Sequence, residues 1–148
     1  MGVLSWGKCT LSYTESKDGA PGTTWKSFEV PKLDSTTLST SAGDETLAQE
    51  EGGGIVDAKY TRNTYEFTFD LFVKKGGTQP FTDDDGTVAG EWALRVVPED
   101  PECYGLQIDR CVIRKELNFS TADGITYHYV VKCLKPASGQ TVKVQVIS

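Results

Sequence analysis

Residues 55–73 read Ile-Val-Asp-Ala-Lys-Tyr-Thr-Arg-Asn-Thr-Tyr-Glu-Phe-Thr-Phe-Asp-Leu-Phe-Val. Apolar side chains fall on Val56, Ala58 and Tyr60, then on Tyr65, Phe67, Phe69, Leu71 and Val73. Polar ones fill the places between, a period of two that marks strands with one buried face. The apolar set moves from even to odd numbers across Arg62-Asn63. A two-residue hairpin loop there predicts pairs Tyr60–Tyr65, Ala58–Phe67 and Val56–Phe69, with both apolar faces on one side.

Working outward, the segment before this pattern loses regularity. Residues 32–54 are polar, acidic and end in Gly52-Gly53-Gly54. Structureless loops longer than about 12–15 residues are uncommon in compact domains unless they serve a purpose or are disordered. Leu33, Leu38 and Leu47 are spaced apolar anchors that a solvated linker would not need. The expectation is an arm that orders against a neighbouring subunit, with at most one helical turn over Asp44 to Glu51.

Beyond residue 73 the chain returns to strands. Glu91 to Val97 fits either a strand or a short helix before Pro98. Tyr104 to Phe119 is a long strand in which the apolar phase changes, predicting a bulge near Asp109-Arg110. The turn Ser120–Gly124 predicts Phe119 opposite Ile125, Leu117 opposite Tyr127, Ile113 opposite Val131 and Cys111 opposite Cys133. Trp6–Tyr13 and Trp25–Val30 read as earlier strands, and Val142, Val144 and Val146 as a last one. The sum is a mainly β, antiparallel sandwich or small barrel of six to eight strands, in one domain spanning 1–148.

The chemistry-bearing residues are sparse. A net charge of −6 disfavours non-specific nucleic-acid binding, which needs Lys and Arg against phosphate. Four cysteines without a C-x-x-C pair and a single histidine give no zinc pattern. Asp83-Asp84-Asp85-Gly86 lacks the twelve-residue ligand spacing of a calcium hand and reads as a solvated turn. His128 has no Ser or Cys partner suggested by the sequence and reads as a partly exposed strand residue. No nucleophile elbow, zinc-protease motif or phosphate loop occurs. The expectation is a protein without catalytic residues, metal or cofactor. With no secretory pattern, no myristoylation motif and no bilayer-length apolar run, it is expected in the cytosol with no membrane partner.

A strand, a long polar arm, the run Glu50-Glu51-Gly-Gly-Gly-Ile-Val-Asp57, an aromatic hairpin, and the segment Glu99–Ile108 before a long strand pair follow one another. This layout resembles the tail tube proteins of long-tailed bacteriophages and prophages over most of residues 6–136, and is similar to the type VI secretion tube protein. The resemblance implies stacked, hexameric rings around a channel, with other tail proteins as partners and DNA passing without specific binding. It implies synthesis in the cytoplasm and residence in a virion tail. The arm, with Leu33, Leu38, Leu47, Glu50 and Glu51, would bridge rings. The polar hairpin face, with Lys59, Thr64, Glu66, Thr68 and Asp70, would line the channel. The alternative is a non-catalytic sandwich that binds carbohydrate or an adhesion partner through Trp6, Trp25, Trp92 and the tyrosines.

Overall fold

The structure, a computed structural model, describes residues 10–28, 35–73, 81, 83–99, 102–122 and 124–146. Thirteen strands occur among them: β1 (Thr10–Lys17), β2 (Ala20–Pro21), β3 (Lys26–Ser27), β4 (Thr37–Ser41), β5 (Glu45–Gln49), β6 (Ile55–Tyr60), β7 (Thr64–Phe72), β8 (Asp83–Asp84), β9 (Thr87–Val88), β10 (Trp92–Val97), β11 (Gly105–Ser120), β12 (Gly124–Cys133) and β13 (Val142–Gln145). Four are two-residue bridges, so nine are strands of ordinary length. No helix is present among the described residues. The fold is all-β, a curled antiparallel half-barrel with a small second sheet, as the alternating sequence predicts.

The main sheet runs β2-β1-β10-β11-β12-β7-β4, and the second sheet is the pair β5-β6. β11 is the spine, and its sixteen residues are long enough to take β10 and β13 at one end and β12 at the other. Leu94 faces Ile108 while Trp92 faces Cys111, which places the extra residue of a bulge at Asp109-Arg110. β13 continues the line of β12 after a loop, and Lys143 Nζ pairs with the buried Asp109 carboxylate beside that bulge. All four predicted pairs of the β11–β12 hairpin are present, and Gly124 has the positive φ, 74°, that closes its turn.

The core lies on the concave side. Phe67, Phe69 and Leu71 of β7 alternate inward, as their period requires. Phe69 stacks on Tyr129 with ring centroids 5.0 Å apart and planes 12° from parallel. Phe28, Phe81 and Tyr13 close over them, each within 6.2 Å of an aromatic neighbour. Each fully buried aromatic contributes about 1.5–3 kcal/mol from water exclusion alone. Trp92, half-buried on the strand β10 rather than on a helix, sets its ring edge-on to Phe81 at 4.7 Å.

Three expectations are corrected. The segment 32–54, expected to lack regular structure, contains the strands Thr37–Ser41 and Glu45–Gln49, because each finds a partner strand for its backbone groups. β6 does not pair with β7: Leu47 faces Ala58 and Glu45 faces Tyr60, while β7 takes Leu38 opposite Phe67 and Thr37 opposite Thr68. Residues 44–51 form no helical turn, since Glu45–Gln49 is a strand. The helical reading provided a cap and an end but no buried surface for an apolar stripe. A strand gains a partner ladder with β6 instead.

Candidate functional site

The pairings Thr37–Thr68 to Ser41–Thr64 and Glu45–Tyr60 to Ala48–Asp57 lie on one register, with residues 42–44 facing residues 61–63. One long hairpin therefore runs out of the main sheet, breaks at an elbow, and continues as β5-β6. The elbow is fastened by Thr61 N–H to Asp44 O at 2.9 Å, Asp44 N–H to Thr61 Oγ1 at 2.5 Å, and Gly43 N–H to Asn63 Oδ1 at 3.3 Å. The turn at the far end is built by Gly52 and Gly53, with φ of 92° and 93°, which L side chains rarely adopt.

This distal ribbon, residues 45–60, is the arm of the fold; it overlaps only the second half of the arm expected over residues 32–54, and takes in β6 as well. Every residue of β5 and β6 is exposed. Among them Leu47, Ile55, Val56 and Tyr60 are 41%, 59%, 58% and 70% accessible. Leu47 and Ala58 are direct partners, and Tyr60, two residues on, shares their face. Asp44, Glu45, Glu50, Glu51 and Asp57 stand against Lys59 alone between residues 44 and 60, a net −4 of the chain's −6.

The structure sorts the predicted residues as follows. Leu47, Glu50 and Glu51 lie on the arm. Leu38 is on β4 and packs on the core opposite Phe67, so it anchors the arm's root. Leu33 lies outside the described residues. Lys59 is on β6, out on the arm, and is separated from the other four residues of its predicted face. Thr64, Glu66, Thr68 and Asp70 do share the outer face of β7, opposite Phe67, Phe69 and Leu71.

That outer face is a grid across four strands. One row runs Ser39, Glu66, Lys132, Val112; the next runs Thr37, Thr68, Val130, Arg114; a third runs Asp70, His128, Glu116. Thr37 and Thr68 hydroxyls meet at 2.8 Å. His128 Nδ1 lies 2.5 Å from Asp70 Oδ1, and its Nε2 lies 3.8 Å from Glu116 Oε2. The carboxylates flank the imidazole from opposite sides instead of converging. Among the described residues no cluster of three or more His, Cys, Asp or Glu side chains is placed to hold a metal ion. Asp70 was invisible as a neighbour of His128 in the sequence, because 58 residues separate them, whereas Glu116 follows from the β11–β12 register that the sequence predicts.

Beside this grid, Lys115 turns inward and is 3% exposed. Its Nζ donates to Phe81 O at 3.0 Å, lies 3.5 Å from Asp83 Oδ1 and sits 4.1 Å above the Tyr127 ring. Asp83 accepts from Gly86 N–H at 2.9 Å. That bond, with the Lys115 charge behind it, holds the Asp83 carboxyl below its usual range. The acidic triplet is thus a two-strand turn, in which Asp85 and Gly86 have φ of 49° and 93°.

Of the tryptophans named for the binding alternative, Trp6 lies outside the described residues, and Trp25 lies under the Arg95 guanidinium at 4.0 Å. With Trp92 turned toward the core, these two rings form no open stacking platform.

No protein-family model matches this chain, and no curated protein matches it.

Proposed function

We propose that this chain is a structural subunit of a bacteriophage tail tube, assembling as stacked rings of identical copies around a channel through which DNA passes. The observation that carries the reading is the arm. A two-stranded ribbon is marginally stable alone in water. Here it is exposed along both strands, carries four accessible apolar side chains and most of the net charge, and continues at its root into the β4–β7 pair of the core sheet. Those features suit a contact completed by another copy of the chain, with the entropy cost of ordering the ribbon offset by the apolar surface that assembly buries.

Two further features support it. The outer edge of the hairpin over residues 37–49 contains no Lys, Arg or Pro. Those are the residues that commonly blunt an exposed edge against strand addition. The grid on the outer face mixes Glu66, Asp70 and Glu116 with Arg114 and Lys132. With no excess of cations, such a face would line a channel without holding phosphate. The role is structural, with other tail proteins as partners and the virion as destination.

The test is negative-stain microscopy and light scattering across a concentration series. It compares the full chain with a variant in which residues 45–60 are replaced by a short glycine-containing turn. Rings or tubes from the full chain and monomers from the variant are expected. A full chain that stays monomeric at its solubility limit would overturn the reading.

A further inference from the structure

Cys111 and Cys133 are direct partners across β11 and β12. Leu134 N–H donates to Arg110 O at 2.9 Å, and those two residues form the adjacent pair of the same register. Hydrogen-bonded and non-hydrogen-bonded pairs alternate along an antiparallel ladder, so Cys111 and Cys133 occupy a non-hydrogen-bonded pair. In such pairs the Cα atoms are about 4.5 Å apart and the side chains approach most closely. Disulfides span Cα separations of about 4.4–6.8 Å, so this pair falls at the short end of that range. Both thiols are free, and the residues are 0% and 7% exposed.

We propose that Cys111 and Cys133 are a reversible oxidation site, converted to a cross-strand disulfide by a low-molecular-weight disulfide such as oxidised glutathione. One cysteine thiolate attacks a glutathione sulfur and releases one glutathione thiolate. The second cysteine thiolate then attacks the protein sulfur of that mixed disulfide and releases the other. The protein thiols lose two electrons, the glutathione disulfide gains them, and the two thiol protons end on two glutathione molecules. Cys111 Sγ now donates to Trp92 O at 3.0 Å, so it must first rotate away from that carbonyl.

Burial, with the neighbouring Cys133 thiol, pushes the Cys111 thiol well above its usual range, and burial, against the opposing charge of Lys132 and with that of Glu66, pushes Cys133 up to about 12. Thiolate is therefore scarce in the closed sheet, and exchange is confined to folding or to opening of the end of β12. The bond would close a loop around the whole β11–β12 hairpin, including the accessible Leu117, Phe119 and Ile125 near its tip. A chain folded in a reducing cytosol would stay open, and one folded or held in an oxidising medium would lock. The chemistry is independent of the assembly reading.

The full chain is refolded in a glutathione redox buffer and, in parallel, in dithiothreitol. Both samples are alkylated, digested and mapped without reduction, and their melting is recorded. The oxidised sample is expected to yield a Cys111–Cys133 linked peptide and a Tm higher by about 5 °C or more. Cys133→Ala and the better-filling Cys133→Val should lose the oxidant-dependent rise. Full alkylation of both cysteines after oxidation overturns the proposal, as does a link from either to Cys9 or Cys103. The peptide map reads the same in a monomer or a ring, so its failure leaves the assembly reading intact.

Discussion

A Cβ atom built on Gly43 would lie 2.2 Å from the Thr61 carbonyl oxygen and 2.6 Å from that of Arg62. Glycine is needed here for space, since the two strands of the elbow approach to backbone contact. Gly43→Ala must therefore push the elbow open, an overpacking strain of about 1–3 kcal/mol. The strain falls on the arm's root and not on the core. Hydrogen exchange should show the Asp44 and Thr61 amides losing protection while amides of β11 and β12 keep theirs. Loss of protection throughout the sheet would mean that the elbow is part of the global fold.

Lys115 is the charged group whose removal should cost most. It is buried, hydrogen-bonded to Phe81 O and close to Asp83. Lys115→Ala removes its packing stem and leaves that carbonyl unpaired, for an expected loss of about 2–4 kcal/mol. Lys115→Met restores the stem and should recover roughly half of the loss. Urea titration measures both. An alanine variant within about 0.5 kcal/mol of the parent would show that the pair adds nothing.

Asp83 predicts an acid limb. Its carboxyl is held below the ordinary value of 3.8, first by Gly86 N–H and then by Lys115. The unfolded chain therefore binds this proton more readily than the folded one. The carboxylate's stabilising effect is present above the ordinary value and lost as pH falls through it to the lower folded value. Asp83→Asn should flatten the fall in urea midpoint below about pH 4. An unchanged slope would assign the acid limb to other carboxylates.

Tyr129 offers a substitution that should strengthen the fold. Its ring is fully buried and stacked on Phe69, while its hydroxyl has no hydrogen-bond partner among the described residues. Burial, with Tyr127 next, raises the pKa of that hydroxyl. Tyr129→Phe removes an unpaired polar atom without opening the stack, and should raise stability by up to about 1 kcal/mol. A loss of more than that by urea titration would reveal a partner for the hydroxyl.

The β11–β12 hairpin was legible in the sequence down to single pairs. A short turn with Gly124 fixed the register, and the apolar phase change marked the bulge at Asp109-Arg110. Alternation was less informative over residues 55–73, because it assigns faces and not partners. Arg62-Asn63 could have closed a hairpin on period alone. The actual turn is made ten residues earlier by Gly52 and Gly53, and Gly43 admits the close backbone approach at the elbow. Alternation did place Thr64, Glu66, Thr68 and Asp70 on one face of β7, but it joined Lys59 to them, which lies on β6. The other half of that face comes from β11 and β12, at sequence distances that no local pattern encodes.

The shared register of arm and body has a mechanical consequence. β7 enters the core directly from the elbow, and β12 lies along it over seven consecutive pairs from Thr126–Phe72 to Lys132–Glu66. Tension applied at Gly52-Gly53 along the ribbon would slide β7 lengthwise against β12. That is shear, in which the ladder's bonds bear the load together instead of parting one after another like a zipper. The outermost ribbon is thus joined to the buried centre of the sheet, and a pull on its tip is resisted by the stack of Phe69 on Tyr129.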